Sequence, residues 1–394
     1  RPRHGNVFVF GGRCAEGGEP PRPAGEPLAT GERFEPQVGE PRINSATGKV
    51  EEGRFATWAY QPPMPRRQYG ACAVAIGRRI YICGGSEGLA VTSNAVDCYD
   101  TQEKLWLSQP PMAYGRSQAA AIDYGGWLVV LGGFTGQGMV GLGPVCSAEV
   151  FDPVEGVWSE FPPMLQARQE FNGFAATMPD ERLFVAGGVG ELGECLGTAE
   201  MFVPAEPSEE GSGALGQWRP LGGEMIQARR GAAGATVAQR PWMIGGHSGA
   251  TPLSTIEVYD VPSGTWKPVK NNMEVPRYAP AAGIFEGKLW VCGGNDGTRQ
   301  LHDGEVLSPA TVDGEWEKMP VDMYEARSSA AYATVLEAAK PGQEGYGQPK
   351  GKGKGKEEAF GQARRPSTSS AGETSPRSPK SPTSPKSRAR KQAP

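Results

Sequence analysis

Three histidines, seven cysteines and two glycine-rich runs are the residues whose type and spacing could do chemistry in this chain of 394 residues. His4, His247 and His302 are of the metal-ligating type, but they are scattered and lack the spacing of a ligand set. Gly136-x-Gly138-x-x-Gly141 spells a dinucleotide fingerprint, whose chemistry needs a helix N-terminus behind the loop to hold a pyrophosphate. A short strand beginning near Ser147 is expected there instead, so the match fails by context. Gly351 to Lys356 alternates Gly and Lys without the spacing or the Lys-Ser/Thr ending of a phosphate loop. No Gly-x-Ser-x-Gly elbow occurs, and no Cys-His pairing can be assigned. Cys14, Cys72, Cys83, Cys98, Cys146, Cys195 and Cys292 are odd in number and form no Cys-x-x-Cys. They are expected as structural thiols in a reducing compartment; Cys14 and Cys195, in loops, have no basic cluster to make them redox sensors. The sequence therefore implies no catalytic residue, no metal and no cofactor, and the chain is expected not to be an enzyme.

The elements around these residues are organised by repetition. Apolar runs end in Gly11-Gly12, Gly84-Gly85, Gly132-Gly133, Gly187-Gly188, Gly245-Gly246 and Gly293-Gly294. After each doublet comes an acidic-aromatic strand, such as Glu149-Val150-Phe151-Asp152, and then a lone Trp: Trp58, Trp106, Trp158, Trp218, Trp266 and Trp316. A Met follows each Trp (Met64, Met112, Met164, Met225, Met273, Met323), and four residues on stands Arg116, Arg168, Arg229, Arg277 or Arg327. One copy departs, with Gln68 in that place and Arg66 and Arg67 just before it. Within a repeat, Ala119–Asp123 and Trp127–Leu131 read as a hairpin around Gly125-Gly126. A period near 50 residues built from short strands predicts an all-β, six-bladed propeller of four-stranded antiparallel blades. Gly pairs permit positive φ and close backbone approach, Trp fills the space between blades, and Arg suits repeated bonds to carbonyls or to the acidic residue of a neighbouring strand.

This pattern resembles the Kelch-repeat family of β-propellers over nearly all of residues 6 to 336. Gly293-Gly294-Asn295-Asp296-Gly297, followed by Leu301 and Glu305, is similar to the Kelch domains of BTB-Kelch proteins. The first doublet lacks an upstream hairpin partner, whereas a strand over Ser329 to Leu336 has no doublet after it, so the last strand is expected to complete the first blade and remove its exposed edge.

The resemblance implies a protein-interaction module, the substrate-binding part of a cullin-3 ubiquitin ligase adaptor, with the cullin held by a BTB domain preceding residue 1. Alternatives are an actin-associated scaffold and a propeller enzyme, either a copper radical oxidase or a sugar-processing enzyme. The positions that contact partner peptides in related receptors map first to the residues after the doublets, Arg13, Ser86, Phe134, Val189, His247 and Asn295. They map next to those after the repeat Arg, Tyr69, Ser117, Gln169, Arg230, Tyr278 and Ser328. Arg230→Ala and Tyr278→Ala are expected to weaken partner capture at a cost of no more than about 1 kcal/mol, as for exposed sites.

Outside the repeats, Arg13 to Ala29, Gln37 to Ala56 and Ala205 to Gly216 read as mobile loop insertions. Two domains are expected: the propeller over 1–339 and a disordered tail over 340–394. From Lys340 onward the chain has 13 basic and 4 acidic residues, against 27 and 40 before it. Ser375, Ser378, Ser381 and Ser384 each precede a Pro and are candidate phosphorylation sites, and Lys386, Arg388, Arg390 and Lys391 form a basic patch that could engage nucleic acid. No segment has the roughly 20 apolar residues of a membrane span, so a cytoplasmic or nuclear protein is expected. The chain starts at Arg1 and reads as a fragment.

Overall fold

The computed structural model describes residues 5–15, 23–36, 42–43, 50–51, 56–88, 91–136, 142–171, 175–177, 182–205 and 215–336. These build six four-stranded antiparallel sheets, blades I to VI. In blade II, Cys72–Ile76, Arg79–Cys83, Val96–Asp100 and Leu105–Gln109 follow one another from the axis outward. Blades III to VI repeat this order, starting at Ala120–Tyr124, Ala175–Thr177, Ala233–Val237 and Ala281–Phe285. Each starting strand touches those of the two neighbouring blades, so the blades close into a ring.

Blade I closes as the sequence implies. Its innermost strand is Ala331–Leu336, paired with Gly5–Phe10 in a register that sets Val7 opposite Thr334. Gly31–Glu35 and Thr57–Gln61 complete it. Gly5–Phe10 is thereby paired on both sides, and the seam is closed by backbone bonds between chain segments some three hundred residues apart.

Every repeat Trp lies on an outermost strand and fills the gap toward the preceding blade. Trp106 meets Phe10 edge-on with ring centroids 5.1 Å apart, and Trp58 packs on Phe34, which in turn faces Trp290 of blade VI. The indole N–H groups of Trp58, Trp106, Trp158, Trp218 and Trp316 donate to the carbonyls of Val321, Pro62, Pro110, Pro162 and Asn271, in the link leaving the preceding blade. Five of the six are therefore both filler and fastener, as the apolar body and single donor of Trp allow; Trp266 Nε1 is buried without a hydrogen-bond partner among the described residues.

The insertions are partly ordered. Arg13–Cys14 is a short strand paired with Arg327–Ser328 and belongs to the closing seam, while Leu28 is buried and bridged to Gln68 in the link toward blade II. Arg42–Ile43 and Val50–Glu51 pair as a small hairpin in the second. Residues 206–214, Gly138, Gly141, His4, the four Ser-Pro sites and the basic patch lie outside the described residues.

Candidate functional site

The face on which the innermost strands begin and their hairpin partners end carries the doublets, the loops after them and the Met-Arg links. All twelve doublet glycines have positive φ, from 57° to 68° at the first and 91° to 100° at the second. At Gly84 a Cβ would stand 2.1 Å from the Arg116 carbonyl oxygen, which shows what the missing side chain makes room for. That carbonyl accepts the Gly85 N–H at 2.7 Å, and the same bond joins each doublet to the next blade's link.

The repeat arginines are almost wholly buried. Arg229 donates through Nη1 to the Gly245 and Thr255 carbonyls, both at 2.9 Å, and through Nη2 to Glu257 at 2.6 Å. Glu257 also accepts the backbone N–H groups of Ile226 and Gln227. Arg116 with Glu149, Arg168 with Glu200, Arg277 with Glu305 and Arg327 with Glu32 repeat the arrangement. Most donors and acceptors of the locks are thus satisfied where a buried charge would otherwise be costly, although Arg168 Nε and Arg327 Nε have no hydrogen-bond partner among the described residues. Blade II departs: Gln68 and Asp97 occupy the lock positions, and Arg66 reaches Asp97 at 2.7 Å from the solvent side.

The twelve residues expected at the partner face fall into six bridged pairs. Arg13 pairs with Ser328, Ser86 with Tyr69, Phe134 with Ser117, Val189 with Gln169, His247 with Arg230 and Asn295 with Tyr278. Each pair continues the register of its own blade's inner hairpin, as Tyr69 with Ser86 extends Cys72 with Cys83, so the link entering a blade is stitched to that blade's doublet loop at these very positions. Ser86, Ser117, Val189 and Ser328 are buried in the stitching, which leaves the other eight side chains to face outward in part.

One step nearer the axis lies a set of residues that sequence reasoning missed. Gly70, Gln118, Glu170, Gly231, Ala279 and Ser329, each two positions beyond the repeat Arg or its Gln68 substitute, all have φ between 51° and 64°. They form a closed circle of backbone hydrogen bonds in which Gly70 donates to Ser329, Gln118 to Gly70, Glu170 to Gln118, Gly231 to Glu170, Ala279 to Gly231 and Ser329 to Ala279. Two glycines at equivalent positions were the only trace of this in the sequence.

Side chains converge above the circle. The Tyr278 ring lies across Gly231, where a Cβ would meet it at 2.3 Å, and its hydroxyl donates to Glu170 Oε2 at 2.9 Å. Arg230 Nε stands 3.5 Å from the same oxygen. His247 meets Tyr278 edge-on at 5.6 Å, and the Arg13 guanidinium stacks on Tyr69 at 3.9 Å. Burial, then the Glu170 carboxylate, raises the Tyr278 phenol well above its ordinary value. Burial, then the Arg230 charge, lowers His247 below its ordinary value. Tyr278 is thus not the exposed side chain expected; it is a strut joining blades VI and IV, and its truncation disturbs the face as well as any contact.

As for chemistry, no group of three or more His, Cys, Asp or Glu residues among those described could hold a metal. His302 stands 3.6 Å from Asp322, remote in sequence from His247, and all seven cysteines are free thiols. Burial pushes Cys98 up to about 11 and Cys292 up to about 12, which makes them poor nucleophiles.

The fold and this face define a class: a closed six-bladed propeller whose blades are fastened by a repeated buried Arg-Glu pair and whose variable residues collect on one face. Four segments, residues 69–113, 115–165, 228–273 and 276–320, match the family described as Kelch motif. The chain thus carries Kelch motif repeats in a six-bladed β-propeller, the matched segments spanning the links and strands of blades II, III, V and VI. Nothing found supports the BTB-Kelch subfamily in particular. A solved structure titled "Structure of YjhT" is similar in fold, with a TM-score of 0.56 and 13% identity over 78% of this chain and 97% of that one. The expectation that the chain is not an enzyme does not stand: the fold is shared with YjhT, and a shared fold decides neither for nor against catalysis. A search of curated proteins returned no match.

Proposed function

We propose that this propeller is a protein-interaction module that takes a protein or peptide partner on the face of the doublet loops and links. The observation that carries the reading is the six bridged pairs, which hold eight partly exposed side chains of mixed character on a backbone that is itself fully hydrogen-bonded. Rigid presentation of Tyr69, Phe134, Arg13 and Arg230 suits a binding surface, because aromatic residues and Arg dominate interface energetics and a preformed surface loses little entropy on binding.

The finer form of the proposal is the substrate-binding part of a cullin-3 ubiquitin ligase adaptor, acting in the cytoplasm or nucleus. Its support is the likeness of Gly293 to Gly297, with Leu301 and Glu305, to BTB-Kelch domains. Co-purification of cullin-3 with the native full-length protein tests that form separately.

Proximity labelling with the intact propeller will identify the partner. Phe134→Ala and Arg230→Ala are then expected to reduce its capture at least about 10-fold, as for hot-spot residues, while the urea midpoint changes little. Normal capture by both variants would exclude this face.

A further inference from the structure

Five blades place a buried guanidinium between a doublet carbonyl, a carbonyl at the entry to the following strand and a carboxylate. In blade III these are Gly132 O at 2.9 Å, Ser147 O at 3.0 Å and Glu149. By the same spacing the corresponding groups in blade II are Gly84 O, Ala95 O and Asp97, and the side chain that should carry the charge is Gln68. The acceptors are kept, but the cation is not.

Two atoms record the mismatch. Gln68 Oε1 and Asp97 Oδ1 are both buried and accept no hydrogen bond among the described residues, although their side chains belong to residues only 4% and 3% exposed. Asp97 is one methylene shorter than the Glu of the sister blades. Where Glu200 and Glu257 each accept two backbone N–H groups, Asp97 accepts only from Arg66 among the described residues. Orphaned acceptors of this kind are costly, and two at one lock position call for a shared partner that donates or carries positive charge.

We infer that the blade II lock is a binding site for a monovalent cation, held by Gln68, Asp97 and the carbonyls of Gly84 and Ala95 in the place of the guanidinium of the sister blades. A single carboxylate, one oxygen of which is already paired with Arg66, with otherwise neutral oxygens gives too little charge for a divalent ion. Potassium or sodium suits such a set. None of its four residues is among the twelve expected at the partner face, although Gln68 directly precedes Tyr69.

Thermal unfolding of the full chain in KCl or NaCl, against choline chloride at the same ionic strength, tests this. Choline is too large to enter. A melting temperature higher by about 2 °C or more in KCl or NaCl is expected, since a ligand bound only by the folded state stabilises it. Gln68→Arg, which restores the lock of the other blades, should remove that dependence without lowering stability. Asp97→Asn, nearly isosteric, should also flatten it. Equal melting temperatures in all three salts would mean that the acceptors are served by water or by a proton on Asp97, and would overturn the proposal. So would a Gln68→Arg variant as salt-dependent as the parent.

Discussion

At the scale of single residues, Gly231 decides what the centre of the face looks like. Its hydrogen atom is the only side chain that lets the Tyr278 ring pass over it to Glu170. Gly231→Ala should cost about 1 to 2 kcal/mol, from the left-handed backbone together with displacement of the ring. A double-mutant cycle in urea with Tyr278→Ala separates the two: the steric share disappears in the double variant, and the φ share, on the order of 1 kcal/mol, remains. Additive effects of the two substitutions would show that the ring and the glycine are not coupled. Glu170 could not be recognised from sequence for a related reason. A carboxylate beside a variable Gln169 looks like any loop residue; only the fold brings it, across 108 positions, to a tyrosine hydroxyl.

At the scale of the element, the repeating unit is a strand end, a link and the buried pair that joins them. Arg277 makes bonds to Gly293, Asp303 and Glu305, so Arg277→Ala strands the Glu305 carboxylate in a dry site with only the N–H groups of Glu274 and Val275. A loss of about 3 to 5 kcal/mol in the urea unfolding free energy is expected, and Arg277→Ala with Glu305→Gln should recover part of it. These locks were legible in the sequence, because Gly-Gly, the acidic strand, Trp, Met and Arg recur in fixed order and each type has a narrow physical use. The circle of hydrogen bonds inside them was not. Gln118, Glu170, Ala279 and Ser329 hold positive φ because neighbouring blades demand it, and no local residue type announces a conformation imposed from outside. The partly ordered first insertion was hidden likewise, since its two-residue strand finds its mate at Arg327–Ser328.

At the scale of the whole propeller, closure depends on one segment. Residues 327 to 336 supply a buried Arg, the Ser329 link of the circle and the innermost strand of blade I. Their deletion should abolish cooperative unfolding, because Gly5–Phe10 would lose one of its two neighbours and the ring its last joint. Calorimetry will decide, and an unchanged melting curve would refute closure by this strand. The circle at Gly70, Gln118, Glu170, Gly231, Ala279 and Ser329 has a further consequence. Its N–H and C=O groups run head to tail around the axis, and dipoles arranged tangentially in a closed polygon sum to zero. Unlike the end of a helix, such a ring builds up no macrodipole along the axis toward an approaching charge. Whatever attraction or repulsion a visitor meets there comes from Arg13, Glu170, Arg230 and their neighbours, so the electrostatic character of the mouth can be rewritten by side-chain substitution while the peptide groups beneath stay neutral in effect.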